Sequence, residues 1–254
     1  MGSSGEATAE EAMTTQLAKK TPVWPAKTDP IEVLDWAILT FDQQIALSSS
    51  LGPQTLVIID MVAQLGRQIP TFILDTGVLF PETYALLERV RARYGIEITQ
   101  LKPKLSIEAQ AASHGPELWM HQPDQCCEIR KVAPLNTHLE GYEAWITGIR
   151  RDQSSTRSET TTIEWDEAHG LIKVNPLAWW SPFHIWAYAL KHDVPMNPLL
   201  NQGYRSVGCM HCTHRVAKDH DPSDERAGRW RGTEKTECGI HYPTLLKTTV
   251  TPYE

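Results

Sequence analysis

The sequence predicts an α/β fold, a mostly parallel sheet flanked by helices with a mobile C-terminal tail. Three observations predict it. Short β-rich apolar runs alternate with stretches of helical periodicity along the first half of the chain. Those runs are continuously apolar, as strands covered on both faces are. The chain has 254 residues and 41% apolar content, enough for one sizeable core.

Taken in order, residues 1–30 are polar and broken by Pro22, Pro25 and Pro30, which reads as a disordered leader. IEVLDWAILTF follows, with Val33, Leu34, Ala37, Ile38 and Phe41 at helical spacing. IALS is a short strand, and LVIID (56–60) and TFILDT (71–76) read as buried strands around a helix-like MVAQLGRQIP. PETYALLERVRARYG (81–95) carries Pro81 and Glu82 early, three arginines late and Gly95 last, all in keeping with helix polarity. IEITQL (96–101), EAWIT (143–147) and LIKV (171–174) are further strands, and SPFHIWAYALK (181–191) is a capped helix. Strand–helix–strand order implies right-handed crossovers and a parallel sheet. Beyond residue 201 periodicity fades into Gly, Pro, charge and cysteine. The expected organisation is a leader (1–30), one α/β domain (31–220) and a tail (221–254).

A formal charge of -7 argues against a general nucleic-acid or anionic-membrane binder. No run approaches the roughly 18 apolar residues that span a bilayer. MGSSGEATAEEAMTT lacks the apolar core of a signal peptide, so a reducing cytoplasmic setting is expected. The five cysteines are then thiols or metal ligands rather than disulfides.

Ligands of such sheets bind beyond the carboxyl ends of the strands. ALSSSLGPQ (46–54) can turn hydroxyls and N–H groups of Ser48, Ser49, Ser50 and Gly52 toward an anion; an ordinary Ser/Gly turn is the plainer reading. LDTGVLFPET (74–83) places Leu74, Asp75 and Gly77 just past a strand. RRDQSSTR (150–157) is a solvated charged loop or, with its forked donors, a polyanion clamp.

Cys126–Cys127 and Cys209–Cys212 form two tight pairs. Four thiolates satisfy a structural zinc or an iron–sulfur cluster; a redox pair at Cys209/Cys212 lacks the usual strand–CxxC–helix setting. Adjacent cysteines converge on one ion only with strain, and a cubane's separate iron corners relieve it. His211 and His214 flank Cys212 as surface or supporting histidines, and the nine tryptophans serve packing. Cys238 stands alone near the end, in ECGIH, after Arg226, Arg229 and Arg231.

SSSLGPQ, LDTGVLFPET, CCEIRKVAPL, GIRRDQSSTR, KVNPL, GYRSVGCMHC and ECGIH, spread over residues 46–241, resemble the assimilatory sulfonucleotide reductases. The resemblance implies an adenine-nucleotide α-hydrolase fold with a serine-rich loop that binds a nucleotide without cleaving a diphosphate. It implies a catalytic Cys238, which takes sulfonate from adenylyl sulfate, expels AMP, and yields sulfite to reduced thioredoxin. Lys131, Arg157, Arg226 and Arg229 would supply the field that favours the thiolate and hold the sulfate and α-phosphate. Substrate contacts are likewise implied for Ser48, Ser49, Ser50, Gly52, Leu74, Asp75, Gly77 and Arg150. Arg150 and Arg151 are the spare cations for a 3′-phosphate. Cys126, Cys127, Cys209 and Cys212 would ligate one [4Fe–4S] cluster per chain, and both pairs point to adenylyl sulfate rather than its 3′-phosphorylated form. Pro53-Gln54-Thr55 replaces the Ala-Glu-Asp of many relatives, which removes a carboxylate there. The remaining alternatives are a phosphorylated-nucleotide reductase, a cluster-dependent tRNA thiolase and a non-enzymatic zinc or redox module. A homo-oligomer is compatible with all of these.

Overall fold

The computed structural model describes residues 28–217 and 224–241. The leader expected over 1–30 lies almost wholly outside the described residues, as does the end of the tail. Six strands form one mostly parallel sheet in the order β3-β2-β1-β4-β6-β5, the predicted fold class. Its elements distribute over two compact units.

The first unit holds the chain through Ser49, Pro53–Thr71 and Gly141–Val194. Helix α1 (Pro30–Phe41) is capped by Asp29, whose carboxylate accepts from the N–H of Ile31 at 2.9 Å. It buries Val33, Leu34, Ala37, Ile38 and Phe41, the stripe that the periodicity predicts. Strand β1 (Ile45–Ser49) pairs in parallel with β4 (Ala144–Ile146), and β4 with β6 (Leu171–Val174). The hairpin partner of β6, β5 (Ile163–Asp166), closes the edge antiparallel and is a strand that the sequence reading missed.

LVIID is not a strand. It lies inside helix α2 (Pro53–Gln64), where every residue from Thr55 to Val62 is buried. A helix covered on all sides has no polar face, so its sequence loses the 3.6-residue signature and reads like a buried strand. The serine loop therefore leads from β1 into a helix N-terminus, not into a strand. Gly148, just past β4, makes a close approach there: a Cβ on it would lie 2.8 Å from the Thr55 methyl.

The second unit comprises Ser50–Gly52, Phe72–Glu140 and the chain from Pro195. Strand β2 (Thr71–Leu74) pairs in parallel with β3 (Thr99–Leu101). Helix α3 (Pro81–Tyr94) ends on Gly95 in the left-handed region, as Gly at that position predicts. Helices α4 (Ile107–His114), α5 (Leu118–His121), α6 (Pro123–Cys127) and α7 (Ala133–Leu139) follow, and α8 (Pro182–Lys191) belongs to the first unit.

Candidate active site

Both cysteine pairs lie in the second unit. Helix α6 carries Cys126 and Cys127 and runs through a π-helical turn, Glu128–Val132, into α7. Pro134 explains the widened turn: it has no N–H for the carbonyl of Arg130, and the N–H of Ala133 instead reaches five residues back to Glu128. The turn carries Arg130 and Lys131 directly behind the cysteines.

Cys209 and Cys212 sit on a loop whose Cys212 N–H donates to the Cys209 carbonyl at 3.0 Å. That loop is pinned to the segment after β2: Cys209 bridges Leu79, and Met210 N–H donates to Val78 at 2.9 Å. Thr76 Oγ1 lies 3.2 Å from Cys209 Sγ, and Gln110 Nε2 donates to Cys126 Sγ at 3.7 Å. All four paired cysteines line one recess, together with Arg130, Lys131 and the stacked rings of Trp119 and His211. Among the described residues, no three cysteine, histidine or carboxylate side chains are grouped closely enough for a single metal ion.

Arg130 braces this wall. It is buried and donates to the carbonyls of Thr76 (2.7 Å) and Leu105 (3.2 Å) and to Gln110 Oε1 (3.0 Å). Gly77 is required beside it: its φ is +74°, and a Cβ would lie 3.2 Å from the guanidinium. Asp75 is held inside its own loop, accepting from Gly77 N–H at 3.0 Å and Tyr84 Oη at 2.6 Å. Burial and this carboxylate push the Tyr84 phenol up to about 12.

The Cys238 segment is built onto the same unit. Thr213 and Arg229 form an antiparallel bridge, and the Trp230 N–H donates to the Cys212 carbonyl at 3.0 Å. The Arg229 guanidinium packs over Gly208, where a Cβ would come within 2.4 Å of it. Lys235 pairs with Asp124 at the start of α6, and Arg226 Nη2 pairs with Glu237 at 3.2 Å while donating to the Thr236 carbonyl at 2.9 Å. Glu237, an unfavourable neighbour for a thiolate, is thereby neutralised.

Electrostatics separate Cys238 from Cys126, Cys127 and Cys212. Burial pushes Cys126 and Cys127 up, and drives Cys212 to about 11 with the neighbouring Cys209 adding to it. Burial acts the same way on Cys238, yet its thiol is pulled below the ordinary value. Lys131 is the largest of the opposing effects, followed by the Ile240 N–H, Arg226 and Arg229. Lys131 is itself held protonated: burial works against its charge, but Cys209, Cys127 and Cys238 outweigh that. Among the described residues, Lys131 acts on both cysteine pairs and on Cys238.

The second unit thus brings together the four paired cysteines, Lys131, Arg226, Arg229 and Cys238, and also holds Ser50, Gly52, Leu74, Asp75 and Gly77. The first unit holds Ser48, Ser49, Arg150 and Arg157. Ser49 Oγ donates to Thr55 Oγ1 at 3.1 Å, and Gly52 N–H to Ser50 Oγ at 3.3 Å. Arg150 is buried against Asp152 and the Trp180 carbonyl, each 3.0 Å from Nε; Arg157 donates to Gln153 at 2.6 Å. Arg151 lies over the Trp179 ring at 4.3 Å and donates to the Thr160 carbonyl at 2.9 Å. Sequence reasoning missed Thr76, Gln110 and Arg130. Only Arg130 had a local signal, its place between the cysteines and Lys131.

Residues 44–215 match the family described as phosphoadenosine phosphosulfate reductase domain. The chain is 44% identical over 214 residues to adenosine 5'-phosphosulfate reductase 2 of Bacillus subtilis, covering 84% of this chain and 89% of that one. It is 43% identical over 215 residues to phosphoadenosine 5'-phosphosulfate reductase of Gloeobacter violaceus, covering 84% and 88%. Among solved structures it is similar to phosphoadenylyl-sulfate reductase from Candida auris in a phosphate complex. That likeness has TM-score 0.65 and 31% identity, and covers 83% of this chain and 98% of the other.

Proposed function

The chain belongs to the phosphoadenosine phosphosulfate reductase family, and from that membership we infer that it is an oxidoreductase reducing adenosine 5'-phosphosulfate in sulfate assimilation. We propose the following chemistry for it. The Cys238 thiolate attacks the sulfur of the nucleotide. The bond from sulfur to the bridging oxygen breaks, and its electron pair leaves with AMP. Cys238 then carries a sulfonate on Sγ. A thiolate of reduced thioredoxin attacks that Sγ, and sulfite departs with the electron pair. The second thioredoxin thiol resolves the mixed disulfide, so the dithiol supplies both electrons.

The observation that carries this reading is the contrast among the cysteines: burial raises Cys126, Cys127 and Cys212, while Lys131, Ile240 N–H and two arginines lower Cys238. Only the thiolate is nucleophilic, so of these four Cys238 is the one poised to attack. Lys131, Arg226 and Arg229 also meet the charge that develops on the leaving phosphate. Arg157 and the serine loop, which opens helix α2, bind the nucleotide's anionic part.

The residues present fit a [4Fe–4S] cluster. Four thiols line one recess, the number of thiolates that such a cluster takes. The buried Nε1 of Trp230, on the residue tied to Cys212, has no hydrogen-bond partner in the structure and offers a donor for an anionic group. Cys126, Cys127, Cys209 and Cys212 would hold the cluster, which when bound would supply negative charge to the recess that Lys131 also lines. No helix of the described residues is long and apolar enough to cross a membrane.

Anaerobic incubation with adenosine 5'-phosphosulfate and no reductant tests the reading. One sulfonate mass is expected on Cys238 and none in Cys238→Ser; a mass on Cys209 or Cys212 overturns it. Iron and sulfide at about four each per chain accompany it, and stoichiometric zinc with full activity overturns the cluster. A second reading, preference for the 3′-phosphorylated nucleotide, is favoured by the names of the Gloeobacter and Candida relatives. Against it, Arg150 and Arg151 are engaged within their own unit. Comparing kcat/KM for the two nucleotides separates the readings.

A further inference from the structure

A single residue of helix α4 (Ile107–His114) is buried, and it is polar: Gln110 is 1% exposed. Glutamine is mostly found on surfaces and loses much rotamer freedom when fixed. Burying one is favourable only where both ends of its amide are used. Both are. Oε1 accepts from Arg130 Nη1 at 3.0 Å, and Nε2 donates to Cys126 Sγ at 3.7 Å. Arg130 decides which end points where. A guanidinium carries donors only, so the amide atom facing it is the oxygen, and the NH₂ group is turned to the sulfur. The backbone of Gln110 is set as firmly. Ser106 caps the helix by accepting from the Ala109 N–H at 3.1 Å, and the Gln110 N–H donates to the Ser106 carbonyl at 3.0 Å.

A neutral thiol accepts hydrogen bonds weakly, whereas a thiolate takes a charge-assisted one. The surroundings of Cys126 are built for the second. Arg130 is itself buried, and its three hydrogen-bond acceptors, two carbonyls and the Gln110 amide oxygen, are all neutral. A buried cation calls for a compensating negative charge. The recess that Arg130 lines offers four sulfurs for that purpose. We propose that Gln110 is a positioning residue for the iron–sulfur cluster, resting on the reading that the four cysteines hold one. Its amide N–H keeps Cys126 Sγ on the recess and draws off part of the charge of that thiolate. The need for such a residue follows from the sequence. Cys126 and Cys127 are neighbours, so their side chains diverge unless each is directed separately. Gln110 directs the first of them, and supporting hydrogen bonds of this kind orient ligands and tune the metal they hold.

Resonance Raman spectra of the anaerobically prepared holoprotein provide the test, because a hydrogen bond to a ligating sulfur weakens the iron–sulfur bond and lowers its stretching frequency. Gln110→Glu keeps an acceptor for Arg130, which holds the new carboxylate ionised, but has no N–H for Cys126. Its circular dichroism is expected to match the parent's while its iron–cysteine stretching bands move to higher frequency. Iron should also pass to an excess of chelator about fivefold faster, the worth of one ordinary hydrogen bond. Gln110→Met, which leaves neither end of the amide, is expected to shift the bands in the same direction. It keeps the inference testable if the glutamate variant fails to fold. Bands that stay in place in the loaded variants overturn the inference whatever the iron release, since a glutamine that only supports the fold would change stability and not the spectrum. The cluster reading survives that result. A parent chain that takes up zinc in place of iron and sulfide overturns both.

Discussion

The main-chain N–H of Trp230 donates to the carbonyl of Cys212 at 3.0 Å, so the stretch leading to Cys238 is built onto the Cys-x-x-Cys loop itself. Holding the two sulfur-bearing segments together in this way makes the position of Cys238 depend on the integrity of residues 208–214. Binding a metal group at Cys209 and Cys212 would therefore fix the segment that carries the proposed nucleophile as well as the recess.

Gly228 is where this coupling is most sensitive. Its φ is +83°, and a Cβ there would lie 2.3 Å from the His214 carbonyl oxygen, a backbone atom that cannot swing away. Left-handed strain alone costs an L-residue about 1–2 kcal/mol, and the clash adds to it. Gly228→Ala is expected to lower Tm by at least roughly 2–4 °C. It should also slow sulfonation of Cys238 by adenosine 5'-phosphosulfate. Melting followed by circular dichroism and a timed mass assay check the two effects. Unchanged values for both would show that the 213–229 pairing does not position the nucleophile.

What was legible in the sequence divides along physical lines. Helix α1 and helix α3 were read correctly because each has one wet face or a clear Pro start and Gly stop. Helix α2 was misread because burial from Thr55 to Val62 removes the periodic signal. Strand β5 was missed because Glu164 and Asp166 break its apolar run, and both find partners only in three dimensions: Glu164 on Lys173 at 3.1 Å, Asp166 on Trp145 Nε1 at 3.0 Å. In the site, the cysteines and Lys131 announce themselves by type and spacing. Thr76 and Gln110 do not, because a hydroxyl and an amide acquire meaning only from the sulfur they meet.

The Asp75–Tyr84 bond makes a prediction with a definite sign. Tyr84 is raised in the folded protein to about 12 from an ordinary value near 10. Its contribution to stability is fully present below the unfolded value and is lost as pH rises through the folded one. A spectrophotometric titration should find one phenol ionising near 12, and Tyr84→Phe should remove that step. Tyr84→Phe should also weaken the alkaline fall in stability over that window while lowering stability at neutral pH by about 0.5–1.5 kcal/mol. A parent chain whose phenols all titrate normally would contradict the bond.

Cys238 should behave as an acidic thiol. Its lowered value means that the thiolate share at neutral pH exceeds that of an ordinary cysteine and declines only on acidification. Alkylation by iodoacetamide, mapped by mass and followed against pH, is expected to plateau earlier for Cys238 than for a model thiol. Lys131→Ala should move the profile up most, with Arg226→Ala and Arg229→Ala following in that order. Visible absorbance recorded on each variant separates this effect from loss of a bound cluster. A profile that Lys131→Ala leaves in place would remove Lys131 from the activation of the nucleophile.

The ion pair between Lys235 and Asp124 ties the stretch before Cys238 to the first turn of α6, next to Cys126. Asp124 is well exposed and Lys235 is not, so the pair is partly screened and is worth at most about 1 kcal/mol. The two proposed half-reactions place opposite demands on it. Attack on the nucleotide needs Cys238 docked beside Lys131, whereas release of sulfite needs the sulfonated cysteine to meet a protein reductant. Asp124→Asn, which keeps the shape and removes the charge, should therefore slow formation of the adduct and quicken its discharge by thioredoxin, each by no more than about fivefold at this energy. Lys235→Gln should do the same, and the double variant should add little to either single one, since both break one contact. Single-turnover measurements on the two half-reactions, with the adduct quantified by mass, read these rates separately. Equal slowing of both steps would mean that the pair supports the fold of the segment and takes no part in releasing it.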